Sequence, residues 1–308
     1  MADDPTALLK KHGKSFNFAR LFLGSETGIA AARLYRFCRI IDDIADENED
    51  KIEAEAQLAE IRKAIIQNEK DHPLIGDFLL LCEEHGIDRQ NGIILIEGVS
   101  EDFSLQALVN EQEVIQYAYK VAGVVGLMMA PILGADQQGQ KFAIDLGIGM
   151  QLTNIARDVM EDARMNRRYI PGIWVNSITA KQIAANQAQD QKNIQDAIVQ
   201  LLHLAQEYYQ SGLAGLYYLP KRNQRAIAVA AYVYREIGKK LLRQNCRYWN
   251  GRVIVSTPRK VTLACQALWD LSAHNIADGH IKHSQELHKH ITTNPLAEAK
   301  ASNLAIST

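Results

Sequence analysis

Apolar residues recur at helical spacing along nearly the whole chain. The clearest stripes are formed by Leu34, Phe37, Cys38, Ile41 and Ile44, by Leu146, Met150, Ile155 and Val159, and by Ile227, Val229, Ala231, Val233 and Ile237. Residues three or four apart lie on one face of an α-helix, whereas half-buried strands show a strict alternation that is scarce here. The pattern therefore predicts an all-α protein.

Glycines and prolines mark the expected helix ends. Gly86, Gly134, Pro171, Gly172 and Pro220 follow or separate the apolar stripes, as helix-terminating residues do. No internal repeat or long linker interrupts the pattern. We predict one domain of roughly ten or more helices over residues 1–291. Residues 292–308 have little apolar surface to bury, so we expect a flexible tail there.

Composition narrows the class of protein without giving its chemistry. With 308 residues, 47% of them hydrophobic, and a formal net charge of -2, the chain can bury a sizeable core and lacks the basic excess of nucleic-acid binders. Its 4 cysteines include no CxxC pair, so we expect reduced thiols. The N-terminus shows no apolar signal core, and the most apolar run, residues 121–134, is shorter than a membrane span of ~20 residues. These features predict a cytoplasmic protein and leave peripheral association with the inner face of the membrane open.

A first acidic cluster lies in the segment from Tyr35 to Asp46. A turn of ~100° per residue places Tyr35, Arg39 and Asp46 within ~60° of Asp42 on one helix face, with Asp43 at its edge. Two carboxylates one turn apart repel each other unless a cation lies between them. Mg²⁺ takes oxygen ligands from one or two carboxylates and from substrate phosphates. The same spacing is also common on solvated acidic faces, so this segment alone leaves both interpretations open.

A second polar face follows in the segment 149–171. Its members are Gln151, Asn154, Asp158, Glu161 and Asp162, which all fall within ~60° of Asp158 around the helix. Gly147 falls on the same face one turn earlier, where a missing side chain would let a large group approach. Oxygen-bearing side chains at successive steps of four suit hard metal ions.

The two acidic faces are more informative together than apart. Facing helices of an antiparallel bundle can aim both at one cavity, and four arginines accompany the second face: Arg157, Arg164, Arg167 and Arg168. Carboxylate clusters across a cavity, with arginines nearby, suit diphosphates held by Mg²⁺. Such a site would neutralise the charge that grows on a departing diphosphate.

These segments resemble the motifs of the squalene/phytoene synthase family. The first aspartate motif of the family resembles YRFCRIIDDIAD (35–46), and the second resembles QLTNIARDVMED (151–162). Further similar blocks are HGKSF (12–16), AYKVAGVVGLMMAPILG (118–134), VYREIG (233–238) and NGRVIVSTPRKV (250–261). The resemblance extends over residues 12–270 in the family's order, and its blocks are more similar to bacterial phytoene synthases than to squalene synthases.

The resemblance implies an isoprenoid-synthase fold, a single-domain helical bundle around a central cavity. It implies metal ligands at Asp42, Asp46, Asn154, Asp158 and Asp162, which would hold about two or three Mg²⁺ ions or Mn²⁺ in their place. It implies substrate contacts at His12, Lys14, Ser15, Tyr35, Arg39, Gln151, Arg157, Tyr234 and Arg252. The catalytic residues carried over are Tyr35, Arg39, Asp42, Asp46, Tyr119, Asp158 and Asp162.

The resemblance also implies a reaction, the head-to-head (1'-1) condensation of two geranylgeranyl diphosphates to phytoene. That reaction passes through a cyclopropylcarbinyl diphosphate and releases diphosphate. One alternative is an enzyme that uses farnesyl diphosphate to make dehydrosqualene, squalene or presqualene diphosphate. No GxGxxG fingerprint for a nicotinamide cofactor is present, which favours a product released without reduction. A second alternative is a catalytically inactive assembly factor, which retention of all five aspartate and asparagine ligands disfavours.

Two other features of the C-terminal half carry charge. Five histidines are spread over the last part of the chain, at His274, His280, His283, His288 and His290. We interpret them as part of a solvated helix rather than a metal site. The basic residues Lys239, Lys240, Arg243 and Arg247 are typical of a solvated helix face, and they could also touch an anionic membrane.

Overall fold

The computed structural model describes residues 14–48, 50–104, 107–273 and 282–291. Within these ranges the chain forms twelve α-helices, several short 3-10 turns and one isolated β-bridge, between Ala107 and Arg168. The helices are α1 Lys14–Arg20, α2 Ser25–Glu47, α3 Lys51–Gln67, α4 Gly76–His85, α5 Gln90–Glu101, α6 Glu111–Ala118, α7 Val124–Ile132, α8 Gln140–Arg164, α9 Ala180–Ala185, α10 Ala188–Ala214, α11 Lys221–Arg243 and α12 Thr257–Ala273. The all-α class is confirmed.

Local capping explains where several helices begin and end. The Asp50 side chain accepts hydrogen bonds from two backbone N–H groups at the start of α3. Thr179 and Gln182 form a reciprocal capping box at α9. Gly86 ends α4 with a left-handed φ of 67°, which only glycine adopts without steric cost. The helix end predicted at Gly86 is therefore confirmed.

Helix α8 lies at the centre of the bundle and packs against α7, α10 and α11. Glycine allows the closest of these approaches. A Cβ atom added at Gly126 would lie 2.1 Å from the Ala143 carbonyl oxygen, and one at Gly147 would lie 2.3 Å from that of Ala122. Gly126 is therefore a close-packing position. Gly147 accommodates the backbone of the neighbouring helix rather than a large ligand.

A five-residue π-helix, Tyr119–Gly123, joins α6 to α7. The three pieces form one helix, Glu111–Ile132, of 22 residues, which is longer than the apolar run in the sequence. By length and composition it could cross a membrane. Half of its most apolar window is buried inside the protein, and core helices of soluble proteins pass the same test.

Candidate active site

The first acidic face lies on α2; it is half-buried at Asp42, while the Asp46 side chain is 52% exposed. Burial raises the pKa of Asp42 to about 7, and the nearby carboxylate of Asp46 adds to this rise while Arg39 opposes it. Burial also raises the pKa of Tyr35, with Arg39 opposing and Asp42 adding to the change. Arg39 forms an ion pair with Asp43 one turn away. Tyr35, Arg39, Asp42 and Asp46 therefore act on one another electrostatically, as their helical spacing predicts.

The second face lies on α8, where two arginines contact one carboxylate. Arg157 Nε donates to Asp158 Oδ1 at 2.7 Å, and Arg252 Nη2 donates to Asp158 Oδ2 at 3.1 Å. Arg252 Nε also lies 3.8 Å from Glu161 Oε2. Arg252 comes from the loop between α11 and α12, so this loop lies over the second acidic face.

The two faces meet through the end of α8. Arg167 Nη1 donates to Asp46 Oδ1 at 3.0 Å, which links the segment after the second motif to the first motif. Burial raises the pKa of Asp162 to about 8, Asp158 raises it further, and Arg167 opposes both. The structure thus brings the two aspartate motifs to one site, although they lie far apart in the chain.

The tyrosine Tyr234 on α11 borders the same site. Its ring lies 5.1 Å from the ring of Phe16 on α1, at an interplanar angle of 39°. Burial raises the pKa of Tyr234 to about 12; Arg157 opposes this rise and Tyr35 adds to it. The pKa of Tyr119, in the π-helix, is raised by burial alone. Tyr234 is therefore electrostatically coupled to both motifs, whereas charged residues do not contribute to the shift at Tyr119.

The donor set suits a hard divalent cation. The side-chain nitrogen of Asn154 donates to Gln151 Oε1 at 3.1 Å, while Asn154 Oδ1 is buried without a hydrogen-bond partner in the described part of the chain. A buried carbonyl oxygen without a partner carries a desolvation cost that a cation can offset. With the carboxylates of Asp42, Asp158 and their neighbours, the site offers oxygen ligands only, as Mg²⁺ prefers.

Comparison with known proteins gives the family. The family model described as squalene/phytoene synthase matches residues 9–259 of this chain.

The chain belongs to the squalene/phytoene synthase family.

Relatives in this family extend over most of the chain. A phytoene synthase from Pseudescherichia vulneris is 32% identical over 282 residues, covering 87% of this chain and 91% of the relative. A 15-cis-phytoene synthase from Enterobacter agglomerans is 34% identical over 268 residues, covering 82% and 90%. The protein is therefore an enzyme of the prenyltransferase type, in a family that uses divalent metal to bind diphosphate.

A solved structure confirms the fold of this family. The crystal structure of a dehydrosqualene synthase in complex with ligand superimposes with a TM-score of 0.78 at 24% identity. The superposition covers 87% of this chain and 95% of that one. The predicted isoprenoid-synthase fold is confirmed.

Three residues next to the site were not predicted from the sequence: Asp102, Tyr117 and Tyr169. Asp102, just after α5, accepts hydrogen bonds from Tyr117 (3.1 Å) and Tyr169 (2.9 Å). Burial raises its pKa to about 6, with Arg167 opposing, and its charge in turn raises the pKa of both Asp42 and Asp162. Asp102 therefore lies between the two motifs of this family member. A lone acid at a helix end shows no periodicity, so no sequence signal marked it.

Only part of the N-terminal HGKSF block (12–16) lies within the described residues. His12 lies outside the described residues, as do the side chains of Lys14 and Ser15. Phe16, the last residue of the HGKSF block, packs against Tyr234. The roles inferred for His12, Lys14 and Ser15 therefore stay predictions.

Proposed function

We propose that this enzyme condenses two molecules of geranylgeranyl diphosphate head to head and releases phytoene. The observation that carries this proposal is the convergence of two acidic faces and three arginines on one site, in a chain similar to phytoene synthases over most of its length. Substrates with two phosphates each need both cations and arginines, and the site supplies positions for both.

The metal would be Mg²⁺, with Mn²⁺ as a substitute. We assign Asp42 and Asp46 as its ligands on one wall of the site, and Asn154, Asp158 and Asp162 on the other. When bound, the ions supply positive charge that stabilises diphosphate as a leaving group. About two or three ions suit this number of ligands.

The arginines and aromatic rings of the chain carry the rest of the proposed mechanism. Arg157 and Arg252 now donate hydrogen bonds to Asp158. In the proposed complex they donate to diphosphate oxygens instead. Tyr234 and Phe16 offer ring faces that stabilise a carbocation. We assign the further substrate contacts to Tyr35, Arg39 and Gln151, and the buried Tyr119 to the apolar wall that keeps water from the cation.

The proposed reaction has two ionisations. In the first, the C1–O bond of one substrate breaks and its diphosphate leaves with the electron pair. The double bond of the second substrate attacks the allylic cation, and loss of a proton to the released diphosphate closes a cyclopropane ring. In the second, the remaining diphosphate leaves, the skeleton rearranges, and loss of another proton forms the central double bond. No hydride is consumed, in contrast to squalene formation.

Product analysis tests this proposal. We expect purified protein with Mg²⁺ to convert geranylgeranyl diphosphate to phytoene equally well with and without NADPH. An Asp158→Asn variant is the control, because it removes a proposed metal ligand with little change in shape. A product formed only from farnesyl diphosphate would move the assignment to the dehydrosqualene or squalene alternative. Folded protein without turnover on either substrate would favour the inactive assembly factor.

We further propose that the protein is cytoplasmic and touches the inner face of the membrane through the end of α11. Lys240 and Arg243 lie in the last turn of this helix, and Lys240 Nζ donates to the carbonyl oxygen of Ile254 at 3.0 Å. Ile254 is 66% exposed, so cationic and apolar groups share one surface.

Vesicle co-sedimentation tests this assignment. The protein should co-sediment more strongly with phosphatidylglycerol vesicles than with phosphatidylcholine vesicles. It should weaken in a Lys240→Glu/Arg243→Glu variant, and equal sedimentation of both proteins would contradict this assignment.

A further inference from the structure

A second cluster of ligand-type side chains lies on the other side of α8. Asp145 is thirteen residues before Asp158, which places it ~20 Å away along the helix axis and ~140° away around it. Asp145 therefore points away from the active site, toward α10 and the segment 282–291. Two of the C-terminal histidines, His283 and His288, meet it there.

The side chain of Asp145 is fully buried, and its two oxygens have different partners. His283 Nε2 lies 2.9 Å from Oδ2, and His288 Nε2 lies 2.7 Å from Oδ1. All three ligand atoms lie within 4.8 Å of one another. Ser211 Oγ donates to Oδ2 at 2.5 Å. Burial alone would raise the pKa of Asp145, but the hydrogen bonds from His283, His288 and Ser211 lower it below its usual value.

The two histidines are held on the bundle by their own segment. Tyr208 on α10 donates a hydrogen bond to the Leu287 carbonyl oxygen at 2.7 Å. The Phe142 ring contacts His283 edge-on, with ring centroids 5.3 Å apart. The side chains of His283 and His288 are only 5% and 22% exposed. The interpretation of these two histidines as part of a solvated helix is therefore wrong. His283 lies in irregular backbone just before the 3-10 turn Gln285–His288, His288 ends that turn, and both side chains contact the bundle.

We propose that Asp145, His283 and His288 form a second metal site, which binds Zn²⁺ or a similar transition-metal ion. Two imidazole nitrogens and one carboxylate are ligands that Zn²⁺ prefers, and a water molecule can complete a tetrahedral set. Ser211 supports the carboxylate through an outer hydrogen bond, as is common at zinc sites. Mg²⁺ prefers the all-oxygen ligands of the active site, so ligand chemistry separates the two sites.

A bound ion would also tie the C-terminal segment to the bundle. Residues 282–291 contact α8 and α10 through this cluster and the Tyr208 hydrogen bond. An ion shared between Asp145 and the two histidines adds coordinate bonds to that contact. It would stabilise the folded protein because the unfolded chain does not bring the three ligands together.

Metal titration of the full chain tests this proposal. Chelator-treated protein is titrated with Zn²⁺, and separately with Co²⁺, in the presence of millimolar Mg²⁺ that occupies the all-oxygen site. We expect one tight Zn²⁺ equivalent, a visible tetrahedral absorption band with Co²⁺, and a rise in Tm on adding Zn²⁺. His283→Gln and His288→Gln should each weaken Zn²⁺ binding by about 100-fold or more and remove the Co²⁺ band. Glutamine keeps an N–H donor for Asp145, so these variants should fold.

Two controls locate the ion. His290→Gln removes an imidazole from the same segment without touching Asp145, so it should bind Zn²⁺ like the parent protein. Asp158→Asn removes an active-site carboxylate and should leave the Co²⁺ band intact. The proposal is overturned if the parent protein binds no tight Zn²⁺ under these conditions. It is also overturned if His283→Gln and His288→Gln bind Zn²⁺ as the parent does, since the histidines would then only donate hydrogen bonds to Asp145.

Discussion

The aspartates of the proposed metal site carry an energetic cost at neutral pH. Burial and neighbouring carboxylates raise the pKa of Asp42 to about 7 and that of Asp162 to about 8, well above the ordinary aspartate pKa of 3.8. A carboxyl whose pKa is raised on folding favours the folded state only while it is protonated. Stability from these groups is therefore highest at low pH and falls as pH rises from about 4 to 8.

Asp162→Asn should remove part of this cost. We expect the variant to gain about 1–2 kcal/mol in the free energy of unfolding at pH 8, because an amide there bears no charge that burial desolvates or Asp158 repels. At pH 4 the gain should nearly vanish, since Asp162 is then protonated. Denaturant titrations in chelator-containing buffer at both pH values measure the difference. A gain of the same size at both would show that charge is not its cause.

Asp102 is the residue whose role we would test first by substitution. It accepts hydrogen bonds from Tyr117 and Tyr169, and its charge faces Arg167 and both acidic faces. Asp102→Asn keeps the size and one acceptor oxygen but removes the charge. Because this charge would help to attract a cation to the site, we expect Mg²⁺ to bind less tightly and kcat to fall by roughly 10- to 100-fold.

The matched variant for Asp102→Asn is Tyr117→Phe. It deletes one hydrogen bond to Asp102 but leaves the carboxylate in place. We expect its kcat to fall less than that of Asp102→Asn, and its Mg²⁺ dependence to stay close to that of the parent. Equal losses in the two variants would indicate that the hydrogen bonds, rather than the charge, support the site.

At the scale of helices, close backbone packing sets the position of α7 against α8. Gly126→Ala would place a Cβ 2.1 Å from the Ala143 carbonyl oxygen, so the helices must separate. We expect a loss of about 1–3 kcal/mol in the free energy of unfolding, measured by denaturant titration. Gly28→Ala is the control, because its Cβ would meet only the flexible Arg20 side chain, at 3.4 Å. That variant should gain about 0.5–1 kcal/mol from helix propensity, and an equal loss in both would contradict the packing argument.

The helices and their polar faces could be predicted from the sequence better than the contacts between segments that lie far apart in the chain. Helical periodicity reports which face of each helix is apolar, so the all-α class and the polar faces of α2 and α8 followed from spacing. The helix end at Gly86 followed from the residue type, since glycine commonly ends helices. Asp102 did not, because it reaches the site through the path of the chain after α5. His283 and His288 were misread because spacing along the chain does not reveal a docked 3-10 turn.

At the scale of the whole molecule, the site consists of two walls whose carboxylates are already paired with arginines. Arg167 links to Asp46, while Arg157 and Arg252 link to Asp158. A cation at these carboxylates must compete with the arginines, and a diphosphate gives the arginines a new partner. Metal and diphosphate should therefore bind better together than either does alone.

Thermal melting can detect this mutual dependence. We expect Mg²⁺ with inorganic diphosphate to raise Tm by more than the sum of the shifts that each causes separately. Chelator should abolish both the joint shift and turnover, and added Mg²⁺ should restore them. An Asp46→Ala variant lacks one of the two carboxylates on the first wall and should lose most of the joint shift. Shifts that simply add would show that the two bind independently.

The π-helix Tyr119–Gly123 sets the rotational phase between two halves of one helix. Each residue turns a helix by ~100°, so one extra residue rotates everything after it by about a quarter to a third of a turn. That offset lets Tyr117 reach Asp102 on one side while Gly126 meets Ala143 on another. The extra residue in this turn therefore determines which residues on either side of it face their partners. If the same residues formed an uninterrupted α-helix, one of these two contacts would be turned away by ~100°.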